Sequence, residues 1–139
     1  MDKAEFLHKT PLFSSCSSKT VESVAAVARV RTFNAGDVII KKDSQSTVGF
    51  YVLLEGAVAV TDGERHLADL GAGEYFGEVA LLLDDSPRTA TVTATADAKV
   101  VAVTRWDFKA LLKTNPEIAV EVMEALAQRL ARTNEADTD

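Results

Sequence analysis

The segment Phe76-Gly77-Glu78-Val79-Ala80-Leu81-Leu82-Leu83-Asp84-Asp85-Ser86-Pro87-Arg88-Thr89-Ala90-Thr91-Val92 gathers the residue types that could do chemistry in this chain. Gly77 lacks a Cβ, so backbone there can come close to a ligand. Glu78 can accept a hydrogen bond from a hydroxyl. The apolar run that follows reads as a short helix, and the free N–H groups at its start attract an anion. After the turn at Pro87, Arg88 offers a rigid, always-charged fork of donors that fits phosphate oxygens. Thr89 adds a hydroxyl that both donates and accepts. Together these groups suit a ribose phosphate. Each also has a plainer reading. Glu78 could serve only the helix dipole, Arg88 could pair with Asp84 or Asp85, and Thr89 could merely favour a strand.

The elements that must position this segment are legible in outline. Ser14-Ser15-Cys16-Ser17-Ser18 is a polar break rich in helix-capping residues, and Val21, Val24, Ala25 and Ala28 then recur at helical spacing. Phe6, Leu7, Leu12 and Phe13 are expected to pack there too. From Arg29 short β-type runs alternate with turns: Arg29–Phe33, Val38–Lys41, Phe50–Leu54, Ala57–Thr61, Arg65–Leu70, Thr89–Thr95 and Lys99–Val103. Asp62-Gly63 between two runs is a hairpin signal. Many short strands at regular spacing predict an antiparallel barrel or jelly roll. After Val103 the period becomes helical again. Trp106, Ala110 and Leu111 mark one short helix, which breaks at Asn115-Pro116. A longer helix then runs from about Pro116 to Ala131, with Ala119, Met123, Leu126 and Leu130 on one face. Trp106 is expected to be a core aromatic, and Glu135-Ala136-Asp137-Thr138-Asp139 a disordered tail.

Bulk properties narrow the function classes. The chain has 139 residues, is 47% hydrophobic and carries a formal charge of −6. One domain spanning 1–139 is the expectation: a helical start over about 3–28, a β-roll over about 29–103 with the phosphate-binding segment at 76–92, and C-terminal helices over about 105–132. The acidic balance disfavours a DNA-binding surface but not capture of one small anion by a local arginine. Cys16 is the one cysteine, which fits a reducing, cytoplasmic compartment. The charged N-terminus lacks a signal-peptide pattern, and no apolar run is long enough to span a bilayer.

The 76–92 segment resembles the phosphate-binding cassette of the cyclic nucleotide-binding domain family, which reads roughly F-G-E, a short helix, then P-R-[S/T/A]-A. Gly36-Asp37-Val38-Ile39 is similar to the family's strand opening G-x-x-I, and Tyr51-Val52-Leu53-Leu54-Glu55-Gly56 to its Y-x-[IL]-x-x-G hairpin. Asn115-Pro116-Glu117-Ile118 and Ala127-Gln128-Arg129-Leu130 resemble the long helix of the catabolite activators. The resemblance implies an α+β fold: an antiparallel β-roll with N-terminal helices, an internal cassette helix and C-terminal helices. It implies ligand contacts from Phe76, Gly77, Glu78, Val79, Ala80, Arg88, Thr89 and Ala90. Leu67 and Leu70 could line the base, although apolar strand residues are more often plain core. Thr133 and Asn134 match a Thr-Ser pair that contacts adenine in the catabolite activator; the alternative is a frayed polar tail. One departure is Ser44-Gln45-Ser46-Thr47, where many relatives carry a glycine turn.

The expected function is a stand-alone cyclic-nucleotide-binding regulatory domain without enzymatic activity. Cyclic AMP is placed ahead of cyclic GMP as ligand, with no cofactor and no metal. The C-terminal helix is expected to carry the signal, to a second copy through helix 116–131 or to an unidentified protein. A regulatory fragment of a larger channel, kinase or fused enzyme is the alternative. A cupin-type metal enzyme is disfavoured, because His8 and His66 are the only histidines. DNA binding in the manner of a transcription factor would need a helix-turn-helix after the long helix.

Overall fold

The computed structural model describes residues 3–10, 12–14, 16–42, 49–77 and 90–138, without the side chains of residues 122, 125, 129 and 132–138. Two helices come first, α1 (Lys3–Lys9) and α2 (Ser18–Val27). Among the described residues eight strands follow: β1 (Arg29–Phe33), β2 (Val38–Ile40), β3 (Phe50–Glu55), β4 (Ala57–Asp62), β5 (Arg65–Gly71), β6 (Tyr75–Phe76), β7 (Thr91–Ala94) and β8 (Ala98–Val103). Helices α3 (Arg105–Thr114) and α4 (Glu117–Thr138) close the order.

The strands form two four-stranded antiparallel sheets, in the orders β1-β8-β3-β6 and β2-β7-β4-β5. The central strands β3 and β8 read as nearly continuous apolar runs because both of their faces are covered. Successive side chains on a strand point to opposite faces. Tyr51 and Leu53 on β3, with Ala98, Val100 and Ala102 on β8, join Ile40, Val58, Val92 and Ala94 in a core between the sheets. Phe50, Val52, Val101 and Val103 face the other way, into a second core with Leu7, Leu12, Phe13, Val21, Val24, Phe108, Leu111 and Ile118. Phe50 binds that second core together. Its ring lies 6.5 Å from Phe13 and meets Phe108 edge-on at 5.6 Å, geometries favoured by ring quadrupoles.

Local chemistry sets the helix limits. The Ser17 side chain caps α2 by accepting from the Thr20 N–H, and Thr104 does the same for α3 with Asp107. Between α3 and α4 the chain breaks at Asn115, where φ is −136° and ψ is 72°. The start of α4 is then tied back to α2. Glu117 accepts hydrogen bonds from Ser17 Oγ at 3.1 Å and from the buried Thr20 hydroxyl.

Three expectations need correction. Tyr75–Phe76 is a strand that the pattern of runs omitted; it has only two residues, too few to show a period. Trp106 is not core but 63% exposed, with the Arg105 guanidinium 4.8 Å from its ring centroid. Phe108 and Leu111 define the buried stripe of α3, and at about 100° per residue Trp106 falls some 200° away from Phe108. The acidic end is helical rather than disordered, since α4 continues to Thr138. Glu135 and Ala136 are good helix formers and support that extension.

Candidate functional site

Strands β6 and β7 flank the segment that the sequence singles out. β6 is the edge strand of its sheet, and there Phe76 stands opposite Tyr51 in register. Phe76 is buried and its ring stacks on that of Tyr51, centroids 5.1 Å apart. Gly77 follows with φ +86°. A residue with a Cβ would be strained in that left-handed conformation, so the glycine is needed for the turn. Description resumes at Ala90, half-buried in a bend, and Thr91 opens β7 between β2 and β4. Residues 78–89 therefore connect the edge of one sheet to an interior strand of the other. Glu78, Val79, Ala80, Arg88 and Thr89 lie outside the described residues, as do Asp84, Asp85 and the 44–47 turn.

The strand carrying Leu67 and Leu70 is irregular. On the β4–β5 ladder Val60 pairs with Ala68 and Thr61 with His66, which leaves Leu67 as an extra residue in a bulge. The bulge explains why His66 Nε2 and Asp69 Oδ1 meet at 2.9 Å. Three residues apart on a regular strand, they would point to opposite faces. Leu70 stands opposite Val58 and packs against the core between the sheets. Leu67 is 45% exposed. The hairpin joining β4 to β5 turns at Gly63, φ +62°, as the Asp62-Gly63 pair predicts. Thr133 and Asn134 fall on α4, with side chains outside the described set.

Two contacts at the far end of the segment escaped the sequence reading. Thr91 Oγ1 accepts a hydrogen bond from the Lys42 N–H at 3.0 Å, and Lys42 Nζ lies 2.5 Å from Asp62 Oδ1. Lys42 lies two residues past β2 and Asp62 ends β4, so no local motif announces their pairing. Burial, reinforced by the Glu121 and Glu117 carboxylates, pushes the Cys16 thiol up to about 11, so it stays a protonated, unreactive thiol. The Thr20 and Ser17 hydroxyls hold Glu117 below the usual glutamate value. Among the described residues no helix is long and apolar enough to cross a membrane.

The sequence profile described as "Cyclic nucleotide-binding domain" matches residues 30–115, from β1 to the end of α3. The chain belongs to the cyclic nucleotide-binding domain family. A cyclic nucleotide-gated potassium channel of Rhizobium etli is 34% identical over 119 residues, covering 86% of this chain and 33% of the channel. A cAMP-dependent protein kinase regulatory subunit of Emericella nidulans is 39% identical over 109 residues, covering 77% of this chain and 26% of the subunit. This cyclic nucleotide-binding domain thus spans a third or less of the length of those curated relatives. Among solved structures, the Thermus thermophilus catabolite activator protein superimposes with a TM-score of 0.81 at 30% identity, over 93% of this chain and 62% of that one. The regulatory domain of Toxoplasma gondii PKA with cAMP gives 0.77 at 26% identity, over 94% and 49%. Paired sheets flanked by helices at both ends are therefore the family's fold, as the strand spacing predicts.

Proposed function

We propose that residues 1–139 form one cyclic-nucleotide-binding domain that takes cyclic AMP in preference to cyclic GMP and does not turn it over. Arg88 holds the phosphate, Glu78 accepts from the ribose 2′-hydroxyl, and the backbone from Gly77 to Ala80 lies along the sugar phosphate. Thr89 and Ala90 complete that rim, with Phe76 as its buried base. Leu67, Leu70, Thr133 and Asn134 are candidates for the base. The observation that carries this reading is the placing of the flanks. Phe76 ends on a sheet edge and Thr91 begins inside the opposite sheet, and the residues proposed to bind the anion lie between these two flanks in the sequence. The cAMP-dependent kinase subunits among the relatives favour cyclic AMP.

In this reading α4 carries the signal. Its face includes Met123 and Leu130, each 61% exposed, beside Leu126, which packs partly against the helical core. That face serves a second copy of the chain or a protein partner, and binding of nucleotide changes its position. Duplex DNA is not a target, given the charge of −6. A cytoplasmic setting, where thiols stay reduced, fits Cys16. The test is calorimetric titration with cyclic AMP, cyclic GMP and linear AMP. Saturable binding in that order of affinity supports the reading, and tighter binding of AMP than of either cyclic nucleotide contradicts it.

A further inference from the structure

Helix α4 is anchored at its root. Among its described side chains Ile118 alone is buried, in the helical core with Phe108 and Leu111, and Leu126 packs partly against that core. Val120, Met123 and Leu130 are exposed. A set of polar contacts stands at the same end as Ile118. Ser17, whose side chain caps α2, donates to Glu117 at 3.1 Å, and the Thr20 hydroxyl donates to the same carboxylate. Thr20 is only 3% exposed, so its hydroxyl depends on protein groups for partners.

The Thr20 hydroxyl has one proton to donate and two acceptors within reach. One is the Glu117 carboxylate, in the first turn of α4, and the other is Asn115 Oδ1 at 3.4 Å, at the end of α3. The two acceptors stand on opposite sides of Pro116, across the break between the helices. A charged acceptor makes the shorter and stronger bond, so the proton goes to Glu117 and the start of α4 is drawn onto α2. From Glu117 to Ala131 the helix rises about 21 Å, and a rotation of about 10° at its root moves Ala131 by about 4 Å. A few contacts at one end therefore decide where the far end stands.

We infer that Thr20 and Glu117 are positioning residues for α4, a clasp on the first turn of α2 that sets the direction in which the long helix leaves the rest of the domain. The signalling role of α4 belongs to the reading above, but the clasp is tested on the free protein, so its failure and a failure of nucleotide binding are distinct results. Thr20→Val keeps the branched shape and removes the proton donor. Glu117→Ala removes the acceptor. Each should widen the spread of α4 positions, by about 4 Å at Ala131 for 10° of added freedom at the root. Thr20→Ser restores the donor and should return the spread to that of the parent. Adding Thr20→Val to Glu117→Ala should widen it no further, since both cut the same bond.

Pulsed electron resonance reads this spread as a distance distribution between spin labels at Thr32→Cys on β1 and Ala131→Cys on α4. Both label sites are exposed. The labels are placed in a Cys16→Ala background, and each variant is measured below its melting temperature. The clasp predicts one narrow distribution in the labelled parent and a broader one in both Thr20→Val and Glu117→Ala. A distribution already broad in the parent, or a width unchanged in either variant, overturns the clasp. So does a broadening in Thr20→Val that Thr20→Ser fails to reverse.

Discussion

The Tyr51 ring stacks on the Phe76 ring with 5.1 Å between centroids and 19° between planes. The two residues are also direct partners on the β3–β6 ladder. β3 is a central strand whose neighbour on the other side is β8, so the stack fastens a two-residue edge strand to the most deeply buried part of the sheet. Gly77 leaves directly from that point. An aromatic pair thereby fixes the residue from which the chain enters the 77–90 connection.

Weakening the stack should loosen the segment's start. Phe76→Leu conserves apolar character but loses the ring contact. It is expected to lower unfolding free energy by about 1–2 kcal/mol and to weaken cyclic AMP binding. Denaturant melts and titration check both. Unchanged affinity would mean that the segment's start needs no aromatic anchor.

Gly56 tests the turn between β3 and β4. Its φ is +93°, and an added Cβ would meet the Asp97 carbonyl and come within 2.9 Å of Ala98 Cα. These are backbone atoms at the entry to β8 and cannot swing aside as a side-chain end could. Gly56→Ala should therefore cost about 2–3 kcal/mol. Gly36→Ala is the control, because it shares a positive φ but nothing lies within 4 Å of the added Cβ. Urea melts should rank Gly56→Ala well below Gly36→Ala.

The tie between α2 and α4 gives a pH dependence. Hydrogen bonds from Thr20 and Ser17 lower the Glu117 value in the folded chain relative to 4.5. A lowered carboxyl value means that the unfolded chain binds the proton more readily, so the contribution is present above about 4.5 and lost as pH falls through the folded value. Melting temperatures of the parent and Glu117→Gln, followed from pH 7 to 3, should differ at neutral pH and converge in acid. A gap that stays constant across that range would remove the Glu117 carboxylate from the account.

The face of α4 should separate by burial. Leu126 packs partly against the helical core, so Leu126→Asp should cost about 1–3 kcal/mol and weaken nucleotide binding through linkage. Met123 is 61% exposed, and Met123→Gln should leave stability within about 0.5 kcal/mol. Light scattering with and without cyclic AMP then reads the outer face. Self-association present in the parent and reduced in Met123→Gln fits a helix that docks on another surface. Equal association in both would free Met123 from that role.

Much of this fold can be read from local patterns. Six of the strands lie within a residue of the runs read for them, because Asn34–Asp37, Glu55-Gly56 and Asp62-Gly63 are true turns with positive-φ glycines. The chemistry of the Phe76–Val92 string sits close together in sequence, while residues 78–89 of it lie outside the described residues. What escaped depends on distance or on small size. β6 is two residues long and exists because Tyr51 and Val52 offer it a ladder. Trp106 looks like core by composition, and only the phase of α3 turns it outward. The bulge at Leu67 follows from a register shift on β4–β5, and the contacts of Lys42 with Thr91 and Asp62 join residues that no local motif connects.

The central claim is that Arg88 carries the phosphate of a bound cyclic nucleotide. Isothermal titration of cyclic AMP into the parent and into Arg88→Ala tests it most directly. The parent should bind saturably with one site per chain. Removing one partner of a desolvated charge pair should cost Arg88→Ala about 2–5 kcal/mol, and Arg88→Lys should recover only part of that, since it lacks the fork. Equal affinity of Arg88→Ala and the parent would contradict the account.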